Sequence, residues 1–418
     1  MDSGMTSSSP ARSGSAPEVF AVFLRLGLTS FGGPVAHLGY FRREFVERRR
    51  WLDDETFTDL VGLCQFLPGP ASSQTGFSIG LLRAGWLGGL AAWCGFTLPS
   101  VLLMLAFAAI SPRLDGPVGT GLIHGLKLVA VAVVAQAVWD MARRLCPDRR
   151  RAAIALAGLA VSCALTSVYA QLVVIAFGAA LGFVLCQPVV SKDASANSSA
   201  NAAGPRQHAH EFRVSHAAGG VALVLFCALL FGLPALTHTD AGHAIRLFDG
   251  FFRSGALVFG GGHVVLPLLQ QQTVATGWVS SNDFLAGYGA AQAVPGPLFT
   301  FAAYLGWMAE PSRHWAGTLL ATVGIFLPGL LLVLAALPYW QALRARPSMS
   351  AVLSGVNAAV VGLLAAALYS PVWTSAVRSG IDFAIAAIGF FLLTRWKMPP
   401  LAVVVICALA GIAEAMLK

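Results

Sequence analysis

Charge is what this chain has least of. Asp, Glu, Lys and Arg make up only 11% of its 418 residues, against about 25% in soluble domains. So little charge cannot cover a water-exposed surface for 43.6 kDa, which excludes an ordinary soluble enzyme. Acids are scarcer than bases, 19 against 27. The seven cysteines are odd in number, form no C-x-x-C pair and lie in or beside apolar runs. They read as small buried hydrophobes, not as a disulfide framework or a cysteine zinc site. There is no nucleotide fingerprint and no haem pair of histidines on facing helices, so no cofactor is expected. A membrane-embedded reductase is left without its redox chemistry. The Ser/Gly/Pro-rich stretch 1–17 lacks the basic region and cleavage pattern of a signal peptide and reads as a disordered tail.

What is present is apolar. Hydrophobic residues make up 56% of the chain, and there are 44 glycines besides. With about 20 residues per span, this describes an all-α polytopic membrane protein with lipid as its surroundings. The net charge of +8 is clumped. Arg42, Arg43, Arg48, Arg49 and Arg50 form one cluster, and Arg143, Arg144, Arg149, Arg150 and Arg151 another. Short basic clusters between apolar spans mark cytoplasmic loops, so no nucleic-acid partner is expected. The location is the cytoplasmic (inner) membrane; a homodimer is left open.

An internal duplication organises the chain. Phe31-Gly32-Gly33 returns as Phe259-Gly260-Gly261, and Arg25 as Arg253. Trp51 and Phe57 return as Trp278 and Phe284. Gln65-x-x-Pro68-Gly69-Pro70 returns as Gln292-x-x-Pro295-Gly296-Pro297, then Pro99 as Pro328 and Gly125 as Gly355, at an offset of 227 to 230 residues. The expected halves are 18–187 and 244–418. A polar linker over 188–216, holding His208 and His210, and a connecting helix over 217–243 separate them. Each half holds six apolar segments: 19–41, 57–82, 86–110, 118–142, 152–168 and 170–186, then 245–276, 283–308, 315–338, 350–369, 381–394 and 399–416. The first two of each are interrupted by Gly-Gly or Pro-Gly-Pro, which break a helix. Lipid cannot satisfy the freed backbone groups, so the breaks face protein or a watery cavity.

If every segment crossed, the arginine clusters would lie on opposite sides of the membrane. A re-entrant hairpin over 57–82, turning at Pro68-Gly69-Pro70, brings both to the cytoplasm. The second-half equivalent of the first cluster, Gln270 to Val279, has no Lys or Arg, as an inverted second half requires. Arg344, Arg346, Arg395 and Lys397 are then cytoplasmic too, and the single run 219–236 supplies the inversion. The fold expected is therefore two homologous, inverted repeats with broken or re-entrant helices. Whether 19–41 spans fully is undecided.

Paired broken helices in inverted repeats point to a transporter binding site, and a half-helix N-terminus with free N–H groups suits an anion. The candidate ligands are Gln65, Pro68, Gly69, Pro70, Ser72 and Ser73 at the first proline break, and Gln292, Pro295, Gly296, Pro297 and Thr300 at the second. Gly32, Gly33, Gly260 and Gly261 let backbone approach a ligand closely. Ser72 or Thr300 can cap its half-helix and touch substrate. Three cations sit at membrane depth, Arg25, Arg253 and Lys127, where burial is costly and usually functional. Cations outnumbering acids there favour an anionic substrate over a cation channel. His263 is a proton carrier or a packing residue. Asp140, Glu310 and Glu414 lie near segment ends, leaving no clear carboxylate relay.

Phe31-Gly32-Gly33-Pro34, the stretch Glu47-Arg48-Arg49-Arg50-Trp51 and the core Gln65-Phe66-Leu67-Pro68-Gly69-Pro70 resemble the chromate ion transporter family. The second half, with Phe259-Gly260-Gly261-Gly262 and Val294-Pro295-Gly296-Pro297, is similar to its second domain. Both halves take part, as in the long two-domain form. The resemblance implies a transporter, not an enzyme. It would export chromate, driven by membrane potential or a proton gradient, and give chromate resistance. Sulfate or another tetrahedral oxyanion is the alternative substrate, and a membrane-embedded reductase or a non-transporting scaffold the alternative of another class.

Overall fold

A computed structural model describes residues 14–165, 170–186, 214–237, 242–340 and 347–417. Residues 1–13, most of the expected linker with His208 and His210, and Arg344 and Arg346 lie outside the described residues. The described chain is helical, with no strand among the described residues. Six of its helices are long and apolar enough to cross a membrane. The molecule is an all-α polytopic membrane protein.

The first half opens with two helix pairs, each broken where glycine or proline stops the ladder. Helix α1 (Ala16–Thr29) ends at Ser30, and α2 (Gly33–Phe41) continues through a wider π-turn over Arg42–Arg48. Gly32 and Gly33 take φ of 104° and 79° between them, a left-handed conformation that costs other residues about 1–2 kcal/mol. The chain runs back on itself here, because the Phe23 ring of α1 stacks on Phe45 at 4.9 Å and meets Phe41 edge-on at 5.6 Å. Helix α3 (Asp54–Phe66) is capped by Asp53 and stops before Pro68. Helix α4 (Ala71–Ile110) begins beyond Pro70 and is sharply bent at Ala84 and Gly85 into two arms. Gly80 and Gly88 lie back to back across that bend, each occupying the space a Cβ on the other would need.

The ends of these pairs meet. The Arg83 guanidinium covers the Trp51 ring at 4.9 Å and reaches Glu18 at 3.4 Å. The start of α1, the start of α3 and the end of the first α4 arm therefore share one root, and residues 51–83 enter and return as a hairpin. The second half repeats this with α9 (His243–Ala256), α10 (Val265–Thr273), α11 (Ser281–Ala291) and α12 (Phe301–Ala309). At its root His243 packs on the Trp278 ring at 5.2 Å and reaches Glu310 at 3.5 Å. Trp278 and Glu310 are the repeat equivalents of Trp51 and Arg83, and His243, at the start of α9, takes the part that Glu18 has near the start of α1.

The two roots lie at opposite ends of the second α4 arm. Trp86 starts that arm beside the first root. Phe107, about 30 Å further on, packs on Tyr304 at 5.7 Å. The Tyr304 hydroxyl donates to the Asp283 carbonyl at the start of α11, beside the second root. Helix α8 (His216–Thr237) joins the halves. It starts against Ala335 and Pro338, at the end of α13 (His314–Ala336) remote from the His243–Glu310 root.

The halves also interlock. Helix α5 (Gly116–Leu145) packs against α15 (Gly380–Thr394) and α16 (Pro400–Leu417). Helix α14 (Pro347–Ala367) packs against α6 (Arg149–Ala164) and α7 (Ala170–Leu185). Small residues allow both contacts: Gly121 meets Gly411, Gly125 meets Cys407, and Gly182 meets Gly355, backbone against backbone. In lipid, where apolar surface gives little drive for helix association, such close approach is what helix packing relies on.

Candidate functional site

The four breaks converge at the centre, because each proline tip docks on the other half. The Gly69 amide donates to the Val258 carbonyl at 2.8 Å, and the Gly296 amide donates to the Ser30 carbonyl at 2.8 Å. Val258 and Ser30 are equivalent positions just beyond α9 and α1. Each half thus supplies the donor that the other half's interrupted helix end lacks.

A cavity of about 320 Å³ has Gly296 in its wall and is lined by Gly32 to Val35 of the first half and Gly260 to His263 of the second. Ala291, Gln292, Val294, Gly296 and Leu298 form another wall. Val133, Gln136, Ala137, Asp140, Met141 and Arg144 of α5 form a third, with Pro400 at the edge. Arg144 and Val35 are exposed, so access is from the end of α5 that carries the Arg143–Arg151 cluster.

The chemistry of this lining is that of hydrogen-bond donors. The first turn of α2 and the short 3-10 turn Gly262–Val264 leading into α10 both start in the wall. First-turn amides have no intrahelical acceptor, and the aligned peptide dipoles add a partial positive charge. Pro34 lacks an N–H, so Gly33 and Val35 carry the first-half donors. Gln292 and Gln136 add side-chain amides, and the Nε2 of Gln292 has no partner among the described residues. His263 donates to or accepts from the Tyr288 hydroxyl at 2.8 Å, so one ring nitrogen is engaged. Arg144 and Asp140 oppose each other in sign at the rim. The deeper wall carries no formal charge, so an anion would be held there by amides.

The candidates named from the sequence separate into two groups. Gly32, Gly33, Gly260, Gly261, Gln292 and Gly296 line the cavity. Pro295 and Pro297 are buried beside Gly296, and shape its tip. Gln65 is exposed and lies outside the lining. Pro68, Gly69 and Pro70 form the tip docked on Val258, with Gly69 and Pro70 against Gly329 of α13. Ser72 caps nothing. Its hydroxyl faces Nδ1 of buried His37 at 3.4 Å, and Ser73 is buried behind it. Thr300 donates to the Pro297 carbonyl at 2.8 Å.

The three cations are also elsewhere. Arg253 is paired with Asp249, Nε to Oδ1 at 2.8 Å and Nη2 to Oδ2 at 2.7 Å. Arg25 is exposed, with no ion pair among the described residues. Lys127 donates to Asn282 Oδ1 at 2.8 Å, at the start of α11. Conversely, Gln136, Asp140, Met141 and Arg144 line the cavity but were not among the sequence candidates. The signal for Gln136 is a lone amide within an apolar span.

A family model described as "Chromate transporter" matches residues 17–183 and again 245–412. A chromate transport protein of Pseudomonas aeruginosa is 31% identical over 314 residues, covering 74% of this chain and 70% of the relative. A probable chromate transport protein of Synechococcus elongatus is 27% identical, covering 73% and 71%. A chromate transport protein of Cupriavidus metallidurans is 27% identical, covering 68% and 66%. No solved structure matches.

Proposed function

The chain belongs to the chromate transporter family, and from that premise we propose that it carries chromate out of the cytoplasm through the central cavity. One observation carries the proposal: two glycine breaks, one from each half, meet at a single cavity with helix N-termini and free amides in its wall. A tetrahedral dianion accepts hydrogen bonds on every oxygen and matches such a wall. The cavity lies at the lower end of the roughly 300–1,000 Å³ usual for small-molecule sites, which suits a small oxyanion.

We read the halves as inverted across the inner membrane, with α8 crossing between them. The opposed hairpin roots support this, and the positive-inside tendency assigns the end of the bundle that carries both arginine clusters to the cytoplasm. The rim at Arg144 then opens to the cytoplasm, where a substrate for export would enter. A potential negative inside favours outward anion movement by about 2.3 kcal/mol per charge per 100 mV, or about 4.6 for a dianion. Potential alone can therefore drive export, with rocking of the halves about the fixed cavity supplying alternating access.

The test is flux from liposomes loaded with labelled chromate or labelled sulfate under an imposed potassium-diffusion potential. Efflux of chromate that grows with a potential negative inside is expected. Efflux of sulfate with none of chromate would overturn the substrate, and chromate efflux indifferent to potential would overturn the driving force.

A further inference from the structure

A second polar cluster lies away from the cavity, where α5, α15 and α16 meet. It holds His124, Asp382 and Glu414, with one donor atom of each within 4.8 Å of the other two. The Nε2 of His124 and Oδ1 of Asp382 are 2.5 Å apart. The second Asp382 oxygen accepts from the amides of Arg378 and Ser379, both at 2.9 Å. Asp382 is 2% exposed and Glu414 7%. The equivalent bundle of α14, α6 and α7 has Ser354 where α5 has His124, so the cluster belongs to one side only.

We infer that this cluster binds a first-row divalent cation, with His124 Nε2, Asp382 Oδ1 and a Glu414 oxygen as ligands. The donor set is one imidazole nitrogen and two carboxylate oxygens, a combination zinc takes at about 2.0–2.2 Å. Tetrahedral bonds of that length space their donors about 3.4 Å apart, so small side-chain rotations bring all three into place. A divalent cation would also match the charge of the two buried carboxylates. The backbone amides on the far oxygen of Asp382 hold its carboxylate in orientation, as outer-shell partners of metal ligands do. Three ligands leave a fourth position for water, reached past His124, whose side chain is 23% exposed. A cation here would clamp α5, whose other end lines the cavity about 18 Å away, to two helices of the second half.

The experiment uses the purified full chain in detergent, with no anion substrate, so its result is independent of chromate flux. Zn²⁺ is titrated calorimetrically, and Co²⁺ is added as an optical probe of coordination. Saturable binding of one Zn²⁺ per chain is expected, with a Co²⁺ ligand-field band and a rise in Tm. His124→Gln and Glu414→Gln should each weaken binding by about tenfold or more. Asp382 is left intact because it also caps α15. No saturable Zn²⁺ binding by the unaltered protein would overturn the inference, in favour of a triad that holds only protons. Equal affinity in both variants would overturn it too. If a variant fails to fold, the Co²⁺ band of the unaltered protein decides: a nitrogen-and-oxygen tetrahedral spectrum supports the site, and its absence sinks it.

Discussion

The Gly296 amide donates to the Ser30 carbonyl at 2.8 Å, so the proline tip of one half closes the broken helix of the other. Its counterpart, Gly69 to Val258, has the same length. This reciprocity requires two glycines. Gly296 has φ of 92°, and a Cβ there would strike Ser100 Oγ and crowd the Phe96 carbonyl at 3.2 Å. Gly69 has φ of 120°, and its Cβ would meet Gly329 Cα at 3.0 Å. Gly296→Ala and Gly69→Ala should each destabilise the protein by about 1–3 kcal/mol and depress transport. Gly220→Ala, on open helix surface, should stay within about 0.5 kcal/mol. Thermal unfolding of the detergent-solubilised variants checks this, and equal behaviour of all three would remove the docking role.

The two glutamines of the repeat should no longer behave alike. Gln292 lines the cavity with its Nε2 free, whereas Gln65 is exposed outside it. Loss of one hydrogen bond to a charged ligand costs about 1.5–3 kcal/mol. Gln292→Ala should therefore raise the chromate KM about tenfold or more, with Gln136→Ala close behind, while Gln65→Ala should change it little. Proteoliposome uptake at graded chromate concentrations separates the three. A strong Gln65 effect with a silent Gln292 would move the site to the other tip.

Lys127 calls for a different test, because its ammonium is satisfied by Asn282 rather than aimed at the cavity. Lys127→Met keeps the apolar stem and removes the charge, and should lower Tm with little change in chromate KM. A large KM change with unaltered Tm would return Lys127 to the substrate path. Membrane-embedded protein in nanodiscs serves for both measurements.

The breaks were legible in the sequence because glycine and proline act locally, and the same breaks recur in both halves. Asp53 and Ser280, equivalent in the repeat, both cap the helix that follows, and so start α3 and α11 earlier than the apolar runs beginning at 57 and 283. The wall of the cavity was not legible. Gln136 and Arg144 reach it only because α5 lies against the second half, a long-range contact that no local pattern encodes. The surroundings of the intramembrane cations were not legible for a related reason. Charge cost at depth shows that a partner must exist, but not which one. Asp249 is a helical turn from Arg253, while Asn282 lies 155 residues from Lys127.

The arginine loop offers a pH test. Partial burial pushes the Glu44 carboxyl up, but Arg49 at 2.6 Å and Arg48 at 3.0 Å outweigh it and hold the carboxyl below its ordinary 4.5. A depressed folded value means that the stabilisation is present above the unfolded pKa and is lost as pH falls through the folded one. Glu44→Gln should thus lower Tm at pH 7, and the difference should fade once the pH drops well below 4.5. A gap that persists in strong acid would mean that Glu44 acts by packing alone.

Orientation is decided by two single cysteines. Arg48 sits at the end of the first hairpin pair by the Glu18–Arg83 root, and Ala275 follows α10 beside Trp278 and the His243–Glu310 root. Those roots stand at opposite ends of the second α4 arm, so Arg48→Cys and Ala275→Cys should react with an impermeant maleimide from opposite faces of the membrane. Cys94 and Cys163 are exposed, so a cysteine-free background is needed. Position 48 should label only in inverted vesicles and position 275 only in intact cells. Labelling of both from one face would sink the inverted arrangement. The cavity rim at Arg144 would then need a new assignment, because its cytoplasmic placement rests on the same arginine loops.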